Sequence, residues 1–217
     1  MQISNNGWDV EFSGRSVGEI YPDLARFLEN FLCQLPSGSK IIDIGCGDGK
    51  YSFLMADKGF DVLGTDSSVV AIEVASEHLR TYSRPSLRFK RERMQDQTGM
   101  EGEFDGAVLI NSYHCLSNSD RKHVITAVSR LLVPGGHLFL TALSLKDESY
   151  PRSNWSEIEQ NTFIDKAGRA FHFFSDQELC SELNAFTVSK ISVLSGLKQD
   201  VGRKSSLFII EARKRDS

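Results

Sequence analysis

Asp43-Ile44-Gly45-Cys46-Gly47-Asp48-Gly49 is the stretch on which the reading of this chain turns. Before it stands Lys40-Ile41-Ile42, an apolar run that continues through Ile44 and is strand-sized. After it Tyr51, Leu54, Met55 and Lys58 recur at helical spacing, closed by Gly59. Three glycines in five positions let the backbone turn sharply between the two, and let a ligand approach without meeting Cβ atoms. The helix start that follows favours negative charge. Asp66 ends the next apolar run, Phe60–Gly64, and stands 21 residues after Gly45. A carboxylate at the end of a second strand can accept hydrogen bonds from both hydroxyls of a ribose.

Two other nucleotide loops are excluded by single residues. The dinucleotide pattern G-x-G-x-x-G needs a glycine where Lys50 stands. The phosphate loop G-x-x-x-x-G-K-[ST] needs a glycine at Ile44 and a hydroxyl residue at Tyr51. What remains is D-x-G-x-G-x-G between a strand and a helix.

Outward from this turn the chain alternates. Ser67 or Ser68 caps a helix through Val69, Val70, Ile72, Val74, Ala75 and Leu79. Leu87–Arg91 reads as a short strand and Phe104–Asn111 as a buried one. Asn118–Val133 reads as a helix stopped by Pro134, and His137–Leu143 as a further strand after Gly135-Gly136. Strand–helix repetition at this spacing predicts right-handed crossovers and a mostly parallel sheet. On the N-terminal side, Pro22 opens an amphipathic helix of about 14 residues through Leu24, Phe27, Leu28, Phe31, Leu32 and Leu35. On the C-terminal side, Ser144–Phe174 has no period but is rich in aromatic residues. Ser175-Asp176-Gln177-Glu178 matches a capping box and starts a short helix. Phe186–Val193 and Ser206–Ala212, joined by a turn-rich link with no crossover helix, are expected to pair antiparallel.

Composition fits this picture. The chain has 217 residues, 25 Lys+Arg against 29 Asp+Glu and 40% apolar residues, as an ordinary single globular domain has. No apolar run reaches the roughly 18–20 residues that span a bilayer, and the first residues carry no secretory signal pattern. The slightly acidic balance disfavours a nucleic-acid coat protein. Cys33, Cys46, Cys115 and Cys180 have no metal-ligand spacing, so no metal is expected. They read as reduced thiols of a cytoplasmic protein, at least three of them buried. The basic run Arg80, Arg84, Arg88, Lys90, Arg91 and Arg93 reads as a solvated sheet edge, with an anionic acceptor or RNA as the alternative.

Five features in order resemble the class I S-adenosylmethionine-dependent methyltransferases. They are the glycine turn at Asp43–Gly49, Thr65-Asp66-Ser67, Met94-Gln95-Asp96, Phe104–Leu109, and the L-x-P-G-G turn Leu132-Val133-Pro134-Gly135-Gly136. The resemblance implies an α/β fold, a Rossmann-like seven-stranded sheet of order 3-2-1-4-5-7-6 with strand 7 antiparallel and helices on both faces. It implies S-adenosyl-L-methionine as cofactor, bound by Asp43, Gly45, Cys46, Gly47, Asp66, Ser67, Gln95, Asp96, Ile110 and Asn111. It divides the single domain 1–217 into an N-terminal lid and helix (1–37), a cofactor core (38–143), an acceptor segment (144–174) and a C-terminal helix and strand pair (175–217).

The implied reaction is SN2 attack on the cofactor methyl, in which the protein supplies positioning, desolvation and sometimes a base. Asn111-Ser112-Tyr113-His114 stands where acceptors dock. It lacks the prolines of the family's [N/D/S]-P-P-[Y/F] motif, which lowers the nucleic-acid reading. Tyr113 and His114 are candidate catalytic groups; a packed or capping histidine is the alternative for His114. Glu157–Phe174 resembles small-molecule members, including tellurite-resistance-type proteins, and makes His172 a third candidate. A structural cover with buried aromatics is the competing reading of that segment. The expected partner is a small-molecule acceptor, with the chain a monomer or homodimer, away from membranes. RNA or protein methylation, or a non-catalytic cofactor-binding module, are the alternatives.

Overall fold

A computed structural model describes residues 6–82, 84–148, 150, 155–198 and 204–215. Its main sheet holds β1 (Lys40–Ile44), β2 (Asp61–Asp66), β3 (Leu87–Arg91), β4 (Phe104–Leu109), β5 (Leu132–Leu143), β9 (Phe186–Lys198) and β10 (Lys204–Lys214). The order is β3-β2-β1-β4-β5-β10-β9. Strands β1 to β5 run parallel, while β10 lies antiparallel to both β5 and β9. This is the expected topology, with β9 and β10 as the sixth and seventh strands.

Alternation along the central strands sets the two faces. Ile41, Val62, Val108, Phe139 and Ile209 pack in one apolar cluster, with Leu28 and Phe31 of α2 (Pro22–Leu32) and Met55 of α3 (Lys50–Asp57). Ile42, Ile44, Ala107, Leu109, Leu140 and Ile210 pack in the other, with Val124 and Val128 of α5 (Asn118–Leu131) and Leu179 of α6 (Asp176–Glu182). Helix caps fall where the sequence puts them. Ser68 Oγ accepts from Ala71 N at the start of α4 (Val69–Thr81), and Ser175 Oγ accepts from Glu178 N at the start of α6.

Five expectations are corrected. Ser144–Phe174, read as having no period, contains three strands: β6 (Ser156–Glu159), β7 (Thr162–Ile164) and β8 (Ala170–His172) form a separate antiparallel sheet in that order. Strands of three or four residues are too short to show a period. Strand β5 begins at Leu132, so Pro134 and Gly135-Gly136 lie inside it, beside a register shift against β4. Residues 194–198, expected in a turn, extend β9, and α2 ends at Leu32. Cys33 and Cys180 are exposed, leaving only Cys46 and Cys115 buried.

Five of the six basic residues of the run make ion pairs, and Arg91 donates to Ser67 O instead. Arg80 pairs with Glu77, Arg84 with Asp57, Arg88 with Asp61, Lys90 with Glu92 and Arg93 with Asp96. Among the described residues no helix is long and apolar enough to cross a membrane.

Candidate active site

A cavity of about 480 Å³ opens at the carboxyl ends of β1, β2 and β4, where open parallel sheets bind ligands. Its floor is the glycine turn. Gly45 holds φ +75°, and a Cβ built there would stand 2.4 Å from Ser112 Cβ. Only glycine satisfies both demands. Ser112 is fixed in turn, since its hydroxyl donates to Ile44 O at 2.8 Å.

Asp66 joins the turn to α4. Its carboxylate accepts from Gly47 N and from Ser68 N, both at 2.9 Å. Burial raises its pKa, against those backbone hydrogen bonds, which favour the ionised form. Asp43 lies beneath the turn rather than in the cavity. It is 2% exposed and accepts from Ser52 Oγ at 2.6 Å. Burial, helped by the nearby Asp66 and Asp48 charges, raises its pKa to about 7, while the Ser52 hydrogen bond opposes this.

Of the ten expected cofactor residues, Gly45, Cys46, Gly47, Asp66, Ser67, Ile110 and Asn111 line the cavity. Asp43, Gln95 and Asp96 do not, and Met94 stands in their place at the wall. Asn111 holds the left-handed region at φ 54°. Thr141 secures it there: Asn111 N donates to Thr141 Oγ1 at 2.8 Å, and the hydroxyl donates to Asn111 Oδ1 at 3.2 Å.

The three candidate catalytic residues separate. His114 lines the cavity. It is 4% exposed, and among the described residues its Nδ1 has no hydrogen-bond partner. Burial lowers its pKa to about 4 and keeps the imidazole neutral, although the Asp147 charge and the Thr141 backbone pull the other way.

Tyr113 and His172 lie outside the cavity, and the expectation of a catalytic role for them is revised. Tyr113 is fully buried, stacks on Phe174 and donates to Glu182 Oε2 at 2.5 Å. Burial and the Glu182 charge raise its pKa. His172 is held at both ring nitrogens, with Thr162 Oγ1 2.7 Å from Nδ1 and Glu178 Oε1 3.0 Å from Nε2. Burial first, then the Arg121 charge, lowers its pKa to about 3. Both side chains tie the small sheet and α6 to the body of the fold.

Other walls of the cavity come from residues that the motif reading passed over. Helix α1 (Asn6–Phe12) lies across it. Asp9 Oδ1 accepts from Ser68 Oγ at 2.6 Å and from Val70 N, anchoring α1 to the amino end of α4. Trp8, Trp155 and Phe171 gather at 5.9 and 4.8 Å between ring centroids, with His114 stacked against Phe171 at 6.3 Å. Arg169 lies over Trp8 and Phe171 at 5.4 and 5.8 Å. Arg15 and Tyr21 line the cavity too. Aromatic richness in Ser144–Phe174 is the sequence signal that pointed toward this wall. Nothing in the sequence singles out Glu11, Lys50 or Arg169.

The site fits the cofactor that the resemblance implies. A glycine cradle, a half-buried acidic side chain at the end of β2 and a cavity of about 480 Å³ suit a nucleoside-sized ligand.

Comparisons with known proteins agree. Residues 41–136 match the methyltransferase domain family. A ubiquinone biosynthesis O-methyltransferase of Dechloromonas aromatica is 30% identical over 151 residues, covering 69% of this chain and 62% of that protein. The chain thus spans about three fifths of the length of the first curated relatives it matches. Among solved structures, a SAM-dependent methyltransferase of Methanosarcina mazei superposes with TM-score 0.73 at 25% identity, covering 92% of this chain and 100% of that one. A 1,6-didemethyltoxoflavin N1-methyltransferase of Burkholderia thailandensis shares the fold at TM-score 0.69 and 18% identity, covering 97% of this chain and 83% of that one. With the sheet order, the glycine turn and Asp66 in place, the chain belongs to the class I S-adenosylmethionine-dependent methyltransferases, with S-adenosyl-L-methionine as its cofactor.

Proposed function

We propose that the chain transfers the methyl group of S-adenosyl-L-methionine to a nucleophilic atom of a small planar acceptor, with His114 as the base. One observation carries the reading. His114 is a neutral, buried imidazole whose Nδ1 has no partner among the described residues, at the wall of a cavity lined by Trp8, Trp155 and Phe171. A small-molecule acceptor is also supported by the similarity to proteins named ubiquinone biosynthesis O-methyltransferases.

The bound cofactor supplies a methyl carried on a sulfonium. The chain supplies the rest. Gly45, Gly47, Asp66 and Ser67 hold the adenosyl end, with Cys46, Ile110 and Asn111 completing the wall. The rings of Trp8, Trp155 and Phe171 offer faces on which a flat acceptor stacks, and they exclude water. With the ring proton on Nε2, His114 Nδ1 presents a lone pair that takes the acceptor's proton as its nucleophile attacks. Residues 38–143 thus serve the cofactor, while the flanks choose the acceptor. Free thiols at Cys33, Cys46, Cys115 and Cys180 accord with a reducing compartment, the cytoplasm.

The test mixes the purified protein and methyl-labelled cofactor with a metabolite extract treated with nuclease and protease. A labelled small product is expected. Label found only in RNA or protein from untreated lysate overturns the acceptor class, and cofactor binding without turnover overturns the activity. His114→Gln is expected to lower kcat by roughly 10²- to 10⁴-fold with cofactor affinity retained. Unaltered turnover removes the base.

A further inference from the structure

At the acceptor end of the cavity one carboxylate is shared by two guanidinium groups. Glu11 on α1 pairs with Arg169 Nη1, and its other oxygen lies 2.8 Å from Arg15 Nη1. All three residues line the cavity. Arg169 is set in place by its own hairpin, independently of α1. Asp165 Oδ2 takes its Nε at 2.8 Å and its Nη2 at 2.7 Å. Asp165 Oδ1 accepts from Ala167 N and Arg169 N, both at 2.9 Å, which fixes the carboxylate itself. One edge of the guanidinium is therefore satisfied within the hairpin, and the Nη1 end is turned to the cavity and to Glu11. The flat of the same group lies over Trp8 and Phe171. A fixed cation thus stands at the margin of the aromatic wall.

The carboxylate that meets it is the less fixed partner. Glu11 is 28% exposed and belongs to a helix of seven residues, a length that has little helical stability of its own. Lys50 adds a further cation to the lining. It lies over the rings of Tyr21 and Tyr51 at 5.2 and 5.7 Å and makes no ion pair with a described residue.

We propose that the acceptor is an anionic aromatic molecule whose carboxylate or phosphate takes the position between Arg169 and Arg15 that the Glu11 carboxylate holds in the structure. The inference rests on the small planar acceptor argued above. Glu11 is then an internal stand-in: it keeps α1 closed over an empty acceptor site and yields to a ligand that brings its own negative charge. Charge-assisted bonds to a guanidinium favour such a ligand over a neutral isostere by about tenfold or more.

Both tryptophans of the chain, Trp8 and Trp155, line the cavity, so intrinsic fluorescence reads the site directly. The protein, saturated with S-adenosylhomocysteine, is titrated with 4-hydroxybenzoate, 4-hydroxyphenyl phosphate and 4-hydroxybenzyl alcohol. Tighter binding of an anionic ligand than of the alcohol, by about tenfold or more, is expected, and the first two arms tell carboxylate from phosphate. Arg169→Gln should level anion and alcohol, and Arg169→Lys should restore part of the difference. Glu11→Gln, on α1, should tighten the anion by several-fold with no change for the alcohol. Equal binding of anions and alcohol by the native protein, or a weaker anion in Glu11→Gln, overturns the proposal and leaves the planar acceptor standing. No binding of any of the three overturns both.

Discussion

Arg121 on α5 and Glu182 on α6 are joined side-on inside the protein. Arg121 Nε lies 3.1 Å from both Glu182 oxygens, Nη2 lies 2.9 Å from Oε1, and the arginine side chain is 1% exposed. Arg121 Nη1 donates to Leu116 O at 3.2 Å, and Tyr113 OH donates to the same carboxylate. The guanidinium also covers the ring of Phe174 at 5.1 Å. A buried pair costs heavily to desolvate, so its removal as a unit is far milder than the loss of one partner. Arg121→Met should destabilise the fold by about 3–5 kcal/mol, because it leaves the Glu182 charge buried without a cation. Arg121→Met with Glu182→Leu should return much of that loss. Urea unfolding measures both. A double variant as unstable as the single one would show that the stranded carboxylate is not the cause.

Asp66 carries two duties that a single substitution separates poorly, so the readout has to be binding. Its carboxylate holds Gly47 N and Ser68 N, and it lines the cavity. Loss of a charge-assisted hydrogen bond costs roughly 1.5–3 kcal/mol. Asp66→Ala should therefore weaken S-adenosyl-L-methionine binding about 10- to 150-fold by calorimetry, at RT of about 0.59 kcal/mol. Unchanged affinity would remove Asp66 from the cofactor site.

Gly45 is a point where sequence and packing make the same demand. Alanine there meets Ser112 Cβ at 2.4 Å and must hold φ +75°. The left-handed backbone alone costs about 1–2 kcal/mol, and the contact forces the β4 loop away from the turn. Gly45→Ala is expected to lower the melting temperature and to abolish cofactor binding. Gly38 has φ +79° with nothing within 4 Å of a built Cβ, so Gly38→Ala serves as the control. It should cost the backbone strain and leave cofactor affinity as it is. Equal affinity loss in both variants would refute the steric argument.

The glycine turn and the acid at the end of β2 could be read from the sequence because they are local. A turn that needs three glycines, and a strand end that needs an acid, leave their marks within a few residues. Asp43 shows the limit of such reading. It belongs to the motif, yet it faces Ser52 under the turn and not the cavity. The elements were legible for a related reason, since apolar runs and caps mark each in turn, while their order in the sheet came from the family resemblance. The acceptor wall was not. It is assembled from α1, the loop after β4 and the β7–β8 hairpin, and a contact such as Glu11 with Arg169 joins residues far apart in the chain. His172 misled for the same reason. An aromatic segment with one histidine reads as a site, but Thr162 and Glu178 occupy both of its ring nitrogens.

Helix α1 should matter for both halves of the cavity through one residue. Asp9 binds Ser68 Oγ and Val70 N at the positive end of α4. Asp9→Ala should free α1 and move Trp8 away from Phe171, read as a red shift in tryptophan emission. The same release should speed dissociation of the cofactor by several-fold in stopped flow. A native emission spectrum in Asp9→Ala would mean that α1 is held by its aromatic contacts alone.

Stability should depend on pH through Asp43 in a direction opposite to that of the buried histidines. Burial raises the Asp43 pKa to about 7, against an ordinary value of 3.8. Between those values the folded state holds a proton that the unfolded chain has lost. Asp43 therefore favours folding more as pH falls from 7 toward 4, and is a cost above 7. His114 and His172, lowered to about 4 and about 3, act the other way. Below the ordinary histidine value of 6.5 the unfolded chain binds protons that the folded state refuses, so their neutral burial costs more as pH falls. Asp43→Asn removes the first effect and keeps the second, and the amide oxygen can still accept from Ser52. The variant should melt above the native protein near pH 8, and the difference should shrink as pH falls through 7 and vanish only below about pH 4. A difference that stays constant across this range would place the Asp43 pKa near that of an ordinary carboxyl group.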